Sequence, residues 1–133
     1  MTTSNDTILL VGHGSREASG NAEILLFAER WRARHPDWRI EVGFIEFADP
    51  FLNHAARNSE RVLVLPLILN AAGHVRQDIP SAIQRARKRH PDVQFLYAPH
   101  LAVSDPLLRI LKRFLREAML RLDVPDSRTT GVI

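Results

Sequence analysis

The sequence of 133 residues contains no cysteine. This absence excludes disulfide bonds, catalysis by a thiolate and metal sites built on sulfur ligands. Any metal site must therefore use histidine, aspartate or glutamate side chains. The chain has six histidines and 15 acidic residues for that purpose.

Long hydrophobic runs are also absent. No run approaches the ~20 apolar residues that a membrane-spanning helix requires, and the N-terminal segment MTTSNDT is polar. We therefore expect a cytoplasmic protein that does not bind a membrane.

Aromatic residues and excess charge are both scarce, at 7% and a net charge of +3. The basic run Arg85, Arg87, Lys88 and Arg89 has no interleaved aromatic side chain on which a nucleic-acid base could stack. It is typical of a solvated last helical turn, which the helix dipole favours. We expect no nucleic-acid partner.

Four short apolar segments alternate with helical patterns. Residues 7–11 and 62–65 are unbroken apolar runs, typical of parallel strands buried on both faces, and residues 40–47 and 93–97 predict two further strands. Helices are expected from Ile24, after a loop through Gly20, to residue 34, then over residues 49–58, 79–89 and 105–122. The Asp-Pro pairs at 49–50 and 105–106 predict N-caps followed by a first-turn proline, and the His-Pro pairs at 35–36 and 90–91 predict helix ends.

This alternation of strands and helices predicts an α/β fold with a four-stranded parallel sheet and helices on both faces. We predict the flavodoxin-like order 2-1-3-4, in which the first and third strands are neighbours. Residues 1–122 are expected to form one domain. Residues 123–133 show no period and are expected to be a flexible tail.

Two of the histidines, His13 and His74, differ from the other four. Each follows a glycine, and each lies just beyond the carboxyl end of a strand expected to be central, where open α/β sheets bind ligands. Neighbouring strands would bring the two imidazoles within reach of one ion. The alternative is that both are polar loop residues that satisfy backbone groups.

Glu46 is expected to join these histidines, because the second strand ends beside the first in the predicted order. Two imidazoles and a carboxylate suit a divalent first-row cation such as Co²⁺, Fe²⁺ or Ni²⁺ in an exchangeable site. Taken alone, a glutamate at position 46 is more often an exposed strand residue.

Two arginines and a serine lie close to these positions in the chain. Ser15 and Arg16 follow His13, and Arg76 lies two residues after His74. A guanidinium near a helix N-terminus is a good receptor for a carboxylate. Solvated loop arginines would give the same pattern.

The segments LLVGHGSR, FIEFADP and PLILNAAGHVRQDIP, in this order and at this spacing, closely resemble the small sirohydrochlorin chelatases of the CbiX/SirB type, the class II tetrapyrrole chelatases. The resemblance extends to about Leu122. It implies insertion of cobalt or ferrous iron into sirohydrochlorin, in cobalamin or sirohaem biosynthesis, without an organic cofactor. The metal-site residues of the family correspond to His13, Glu46 and His74, and the substrate carboxylates would bind Ser15, Arg16 and Arg76.

Two positions depart from the pattern of this family. Asn70 stands where an aromatic or aliphatic residue is expected, and Ala72 stands where glycine is frequent. Both departures concern the macrocycle pocket rather than the metal ligands. A homodimer is expected, because one four-stranded domain offers a single wall to a flat macrocycle and related bilobal chelatases resemble two such domains facing each other.

Two other functions remain possible from the sequence. The same three ligands could belong to a non-enzymatic cobalt or nickel carrier. A histidine phosphotransferase could use His13 as its nucleophile, although such sites surround the histidine with arginines and here Gly12 precedes it.

Overall fold

Four parallel strands and four α-helices alternate along the chain in the computed structural model, which describes residues 5–14, 18–69, 75–101 and 104–121. A single turn of 3₁₀ helix, called here the 3₁₀ turn, lies at Ile45–Phe47. The other elements are β1 (Asp6–Gly12), α1 (Ala18–Arg34), β2 (Arg39–Phe44), α2 (Ala48–Ala56), β3 (Arg61–Pro66), α3 (Val75–Arg89), β4 (Gln94–Tyr97) and α4 (Asp105–Arg121).

The strands form one parallel sheet in the order β2-β1-β3-β4. The predicted fold class and strand order are confirmed. β1 lies between β2 and β3, and all of its residues are buried. Gly12 at the end of β1 pairs with Phe44 at the end of β2, so the carboxyl ends of these two strands coincide.

Successive side chains of β1 point to opposite faces of the sheet. Leu9 and Val11 join the larger core cluster, to which α2 and α3 contribute, whereas Ile8 and Leu10 join a smaller cluster with Ala28 of α1. Helices therefore cover both faces, as predicted. On β3 the burial alternates: Val62 and Val64 are fully buried, whereas Leu63 and Leu65 are half-buried.

Two helices begin earlier than the spacing of their apolar residues predicts. α1 begins at Ala18, so the predicted loop through Gly20 is wrong. Its first turn is exposed and consists of small or polar residues, which leave no hydrophobic period to detect. α3 begins at Val75, and Pro80 lies inside the helix rather than at its start.

Neither predicted cap residue occupies the N-cap position. α2 begins at Ala48, which places Asp49 within its first turn rather than at the N-cap. α4 begins at Asp105, and the carbonyl oxygen of Ser104 accepts a hydrogen bond of 3.0 Å from the N–H of Leu108. Ser104 is therefore the N-cap of α4.

Both predicted His-Pro helix ends are confirmed, and their hydrogen bonds match. His35 N–H donates to Trp31 at 3.0 Å and His90 N–H donates to Ala86 at 2.8 Å, which closes the last turn of α1 and of α3. The next strand then begins after a short turn in each case. The two segments therefore share one way of ending a helix before a strand.

The chain divides into two compact units, Met1–Ala102 and Val103–Ile133. In the part of the chain that the structure describes, no helix is long and apolar enough to cross a membrane. The cytoplasmic location stays a prediction. The expected tail at 123–133 lies outside the described residues, and the extent of the domain likewise stays a prediction.

Gly43 of β2 lies close to Phe51 of α2. A Cβ atom added at this position would lie 2.8 Å from both Cβ and Cγ of Phe51, atoms too near the helix backbone to move away alone. We expect Gly43→Ala to lower the free energy of unfolding by about 1–3 kcal/mol through overpacking, as measured by urea denaturation. Gly20→Ala in the exposed first turn of α1 is the control, and equal stability of the two variants would contradict the expectation.

Candidate functional site

The candidate site lies at the carboxyl edge of the sheet, where β1 and β2 end side by side. His13 is the first residue after β1, and Glu46 lies two residues after the end of β2. Because Gly12 pairs with Phe44, both side chains start from the same edge. This edge is the usual ligand-binding position of an open α/β sheet.

His13 is exposed and lies on a constrained turn. Its Nδ1 atom is 3.3 Å from the carbonyl oxygen of Gly14. A proton on Nδ1 would be donated to this carbonyl, which leaves the lone pair of Nε2 available to a metal ion. Gly14 has φ +89°, and a Cβ there would lie 3.3 Å from Cβ of Phe44. The turn thus favours glycine and places Gly14, the residue after His13, against Phe44 at the end of β2.

Glu46 lies in the 3₁₀ turn rather than on a strand. The predicted strand through residue 47 is wrong, because β2 ends at Phe44 and the chain then runs through the 3₁₀ turn directly into α2. The apolar residues Ile45 and Phe47 continued the strand pattern in the sequence, which concealed this end. Glu46 is exposed.

A polar cavity of about 240 Å³ opens beside Glu46. Its lining residues come from the 3₁₀ turn, the start of α2 and one face of α3: Ile45, Glu46, Ala48, Asp49, Asp78, Ser81 and Arg85. Within it Arg85 donates two hydrogen bonds to Asp49, from Nε to Oδ1 at 2.9 Å and from Nη2 to Oδ2 at 2.7 Å. The Arg85 guanidinium lowers the pKa of the Asp49 carboxyl below its ordinary value of 3.8. Asp49 is therefore an anion at neutral pH.

Sequence reasoning missed this bidentate pair. The sequence pattern predicts Asp49 as an N-cap and Arg85 as one of several solvated basic residues. The two lie 36 residues apart, and only the packing of α2 on α3 brings them together. No local pattern of residues reveals such a pair.

The other candidate residues are located only in part. Arg76 is exposed in the first turn of α3. His74, Ser15 and Arg16 lie outside the described residues, as do the two departures at positions 70 and 72. His74 directly precedes α3 in the sequence.

The predicted metal site therefore stays a prediction. Among the residues that the structure describes, no three histidine, aspartate or glutamate side chains are close enough together to hold a metal ion. His74 is not among those residues. The structure does bring His13 and Glu46 to one edge of the sheet, as the predicted strand order requires.

Three of the histidines assigned no chemical role have structural contacts. His35 stacks on Trp38, with ring centroids 4.0 Å apart and an interplanar angle of 11°. Nε2 of His90 lies 3.2 Å from Oδ1 of Asn53, and Nε2 of His54 lies 3.5 Å from Oε2 of Glu41. These contacts agree with their interpretation as residues outside the site.

An apolar groove of about 380 Å³ lies on the α1 side of the sheet. It is lined by Glu23, Ile24 and Phe27 of α1, together with Leu67 and Leu101. Leu67 N–H donates to the carbonyl of Val11 at 2.8 Å, which places the groove beside the carboxyl ends of β1 and β3. An apolar surface therefore lies on the same edge as His13.

The sequence matches one protein-family model, CbiX, over residues 7–118. A sirohydrochlorin cobaltochelatase from Priestia megaterium is 32% identical over 136 residues, which cover 96% of this chain and 43% of that protein. The chain thus spans less than half the length of this curated relative.

Solved structures show the same fold. A CbiX protein from Marinobacter aquaeolei VT8 aligns with a TM-score of 0.73 and 26% identity, covering 89% of this chain and 98% of that one. SirB from Bacillus subtilis with Fe³⁺ aligns with a TM-score of 0.72 and 26% identity, covering 86% of this chain and 47% of that one. This chain therefore matches nearly all of the Marinobacter protein but only about half of SirB.

Proposed function

Because the chain belongs to the CbiX family, we propose that it is a sirohydrochlorin chelatase, which inserts Co²⁺ or Fe²⁺ into sirohydrochlorin during cobalamin or sirohaem biosynthesis. The observation that carries this proposal is the family match over residues 7–118, which extends from β1 into α4. The test is to follow the absorption bands of sirohydrochlorin with Co²⁺ or Fe²⁺, with and without the purified chain. A rate equal to the protein-free rate for both metals would reject the proposal.

Metal insertion requires two events: the macrocycle loses two pyrrole N–H protons, and a partly desolvated metal ion enters the ring. Histidine suits both tasks, because a neutral imidazole binds a first-row cation and also accepts a proton. We assign His13 and His74 to the metal substrate; one of them would accept one of the two pyrrole protons once the ion has left its ring nitrogen, and the Glu46 carboxylate would accept the other. The Glu46 carboxylate would balance the charge of the cation. No organic cofactor is needed for these steps.

The acetate and propionate groups of sirohydrochlorin need cationic partners, and Arg76 is suited to this role. It lies in the first turn of α3, where the helix dipole disfavours a cation. Helix stability therefore does not explain an arginine there, whereas an anionic ligand would. We assign Ser15 and Arg16 to the same carboxylates, and the apolar groove beside Leu67 to the ring itself.

We expect Glu46→Gln to weaken Co²⁺ binding and slow insertion. Glutamine keeps the size of the side chain but removes the negative charge that balances the cation. Folding stability should stay within about 0.5 kcal/mol, because the residue is exposed. The measurements are a Co²⁺ titration and the insertion rate at saturating metal.

The matched control for this substitution is Glu29→Gln, which removes an exposed carboxylate from α1. It should bind Co²⁺ and insert it as the unmodified chain does. If Glu46→Gln also keeps both its Co²⁺ affinity and its saturated rate, Glu46 does not belong to the site.

We further propose a homodimer. One four-stranded sheet offers a single wall to a macrocycle that is much wider than the ~4.8 Å spacing of strands. A second copy, related by a two-fold axis, would supply the opposite wall. The half-length match to the Priestia and Bacillus relatives supports this arrangement.

Sedimentation velocity at assay concentrations should therefore give the mass of a dimer. The insertion rate per chain should fall on dilution below the dissociation constant of the dimer. A monomer with the full insertion rate would contradict the dimer while leaving the chelatase assignment intact.

A further inference from the structure

The Arg85–Asp49 pair joins two helices beside Glu46. Asp49 lies in the first turn of α2, and Arg85 lies in the second half of α3. The two hydrogen bonds of 2.9 and 2.7 Å are a planar, bidentate contact, and Arg89 adds one longer bond of 3.4 Å to the same carboxylate. Such a fork fixes orientation as well as distance.

The position of Glu46 depends on the start of α2. The 3₁₀ turn runs into α2 without an intervening residue, and Asp49 follows Glu46 by three residues. Within the described ranges, no side-chain or backbone group forms a hydrogen bond or ion pair with the Glu46 carboxylate, so the backbone of the 3₁₀ turn places it. The same turn also lies against α3.

We propose that Arg85, acting through Asp49, is a positioning residue that holds the 3₁₀ turn and so places the Glu46 carboxylate for the metal substrate. This inference rests on the proposed function. Arg85 does not touch the metal in this account. It clamps the start of α2 to α3, and Glu46 shares the polar cavity formed at that junction.

Folding stability alone does not account for the pair. The side chains of Arg85 and Asp49 are 49% and 33% exposed, and ion pairs this exposed contribute little to the free energy of folding. If Arg85 is a positioning residue, its replacement should barely change the melting temperature but should change metal binding.

A purely electrostatic effect and a positioning role predict different Co²⁺ affinities when Arg85 is replaced. Arg85→Met removes a cation from the neighbourhood of Glu46, so electrostatics alone would tighten the binding of a divalent metal ion. The positioning role predicts weaker binding instead. Arg85→Lys keeps the charge but cannot form the bidentate contact, so electrostatics alone predicts no change and positioning again predicts weaker binding.

The experiment is a Co²⁺ titration of Arg85→Lys, Arg85→Met and the control Arg87→Met, each with a thermal melt. Arg87 lies on the same helix but donates to the carbonyl of Phe95 at 2.9 Å, so its loss removes the same charge from a different contact. We expect both Arg85 variants to lose about tenfold in Co²⁺ affinity, as is typical for a residue that orients a metal ligand. Arg87→Met should keep the affinity of the unmodified chain.

A double-mutant cycle tests whether Arg85 acts through Glu46. In a Glu46→Gln background, Arg85→Lys should cause no further loss of Co²⁺ affinity, because the ligand that it positions has already lost its charge. Additive losses would overturn the proposal, as would unchanged affinity in Arg85→Lys alone.

Failure of the inference and failure of the proposed function are distinguishable. If the unmodified chain binds Co²⁺ with the predicted Arg85 dependence but does not metallate sirohydrochlorin, the chelatase function fails and the positioning role stands. If the unmodified chain metallates sirohydrochlorin and Arg85→Lys binds Co²⁺ with the same affinity as the unmodified chain, only the positioning role fails. Absence of Co²⁺ binding, together with no metallation of sirohydrochlorin by Co²⁺ or Fe²⁺ above the protein-free rate, would overturn both.

Discussion

His13→Ala and His74→Ala should each abolish metal insertion and leave the fold intact. Each substitution removes an imidazole that we assign to the metal substrate, and one of the two imidazoles is also assigned to proton transfer; water replaces neither function well. His13 is exposed at the end of β1, so its loss should change the free energy of unfolding by no more than about 0.5 kcal/mol. The measurements are the metallation rate of sirohydrochlorin and a thermal melt of each variant.

The matched control for these substitutions is His54→Ala. His54 is an exposed histidine of α2 whose contact is with Glu41 of β2, at 3.5 Å. Its replacement should leave the insertion rate unchanged, which separates loss of the site from loss of any imidazole. A variant lacking both His13 and His74 that still metallates sirohydrochlorin near the original rate would disprove the site assignment.

Leu52→Ala should cause a large loss of stability. Leu52 lies on α2 with 1% of its surface exposed, within the core cluster that joins α2, α3 and the sheet. Its truncation removes buried methyl groups and leaves a cavity, which costs about 2–5 kcal/mol. Urea denaturation followed by circular dichroism measures this loss.

Leu25→Ala on α1 provides the comparison, because this leucine is 45% exposed. Its substitution should change the free energy of unfolding by less than about 0.5 kcal/mol. Equal losses in the two variants would show that α2 is not packed on the sheet as described, and the placement of Glu46 would then also fail.

The fold was predictable because its signals are local and mutually consistent. Residues 7–11 and 62–65 are continuous apolar runs, and buried parallel strands are the structures that require such runs. The alternation of strands and helices then restricts the order of the sheet to a few possibilities. The predicted edge of the sheet, where β1 and β2 end together, follows directly from that order.

What the sequence did not reveal has two physical causes. The first turn of α1 is exposed and has no apolar period, and Ile45 and Phe47 continue the strand pattern although they lie in the 3₁₀ turn, so hydrophobic patterning misplaced both boundaries. The Arg85–Asp49 contact depends on two distant helices that meet only in the folded chain. The arginine run containing Arg85 is indistinguishable, in the sequence, from a solvated helix end.

The central claim is that the chain catalyses metal insertion rather than storing metal, and turnover tests it most directly. Sirohydrochlorin and Co²⁺, each in large excess over the purified chain, are mixed, and the absorption bands of the macrocycle are followed against a protein-free sample. The account predicts that each chain yields many equivalents of metallated product, at a rate well above the protein-free rate. Stoichiometric Co²⁺ binding, with metallation by Co²⁺ and by Fe²⁺ no faster than in the protein-free sample, would contradict it and identify a metal carrier instead.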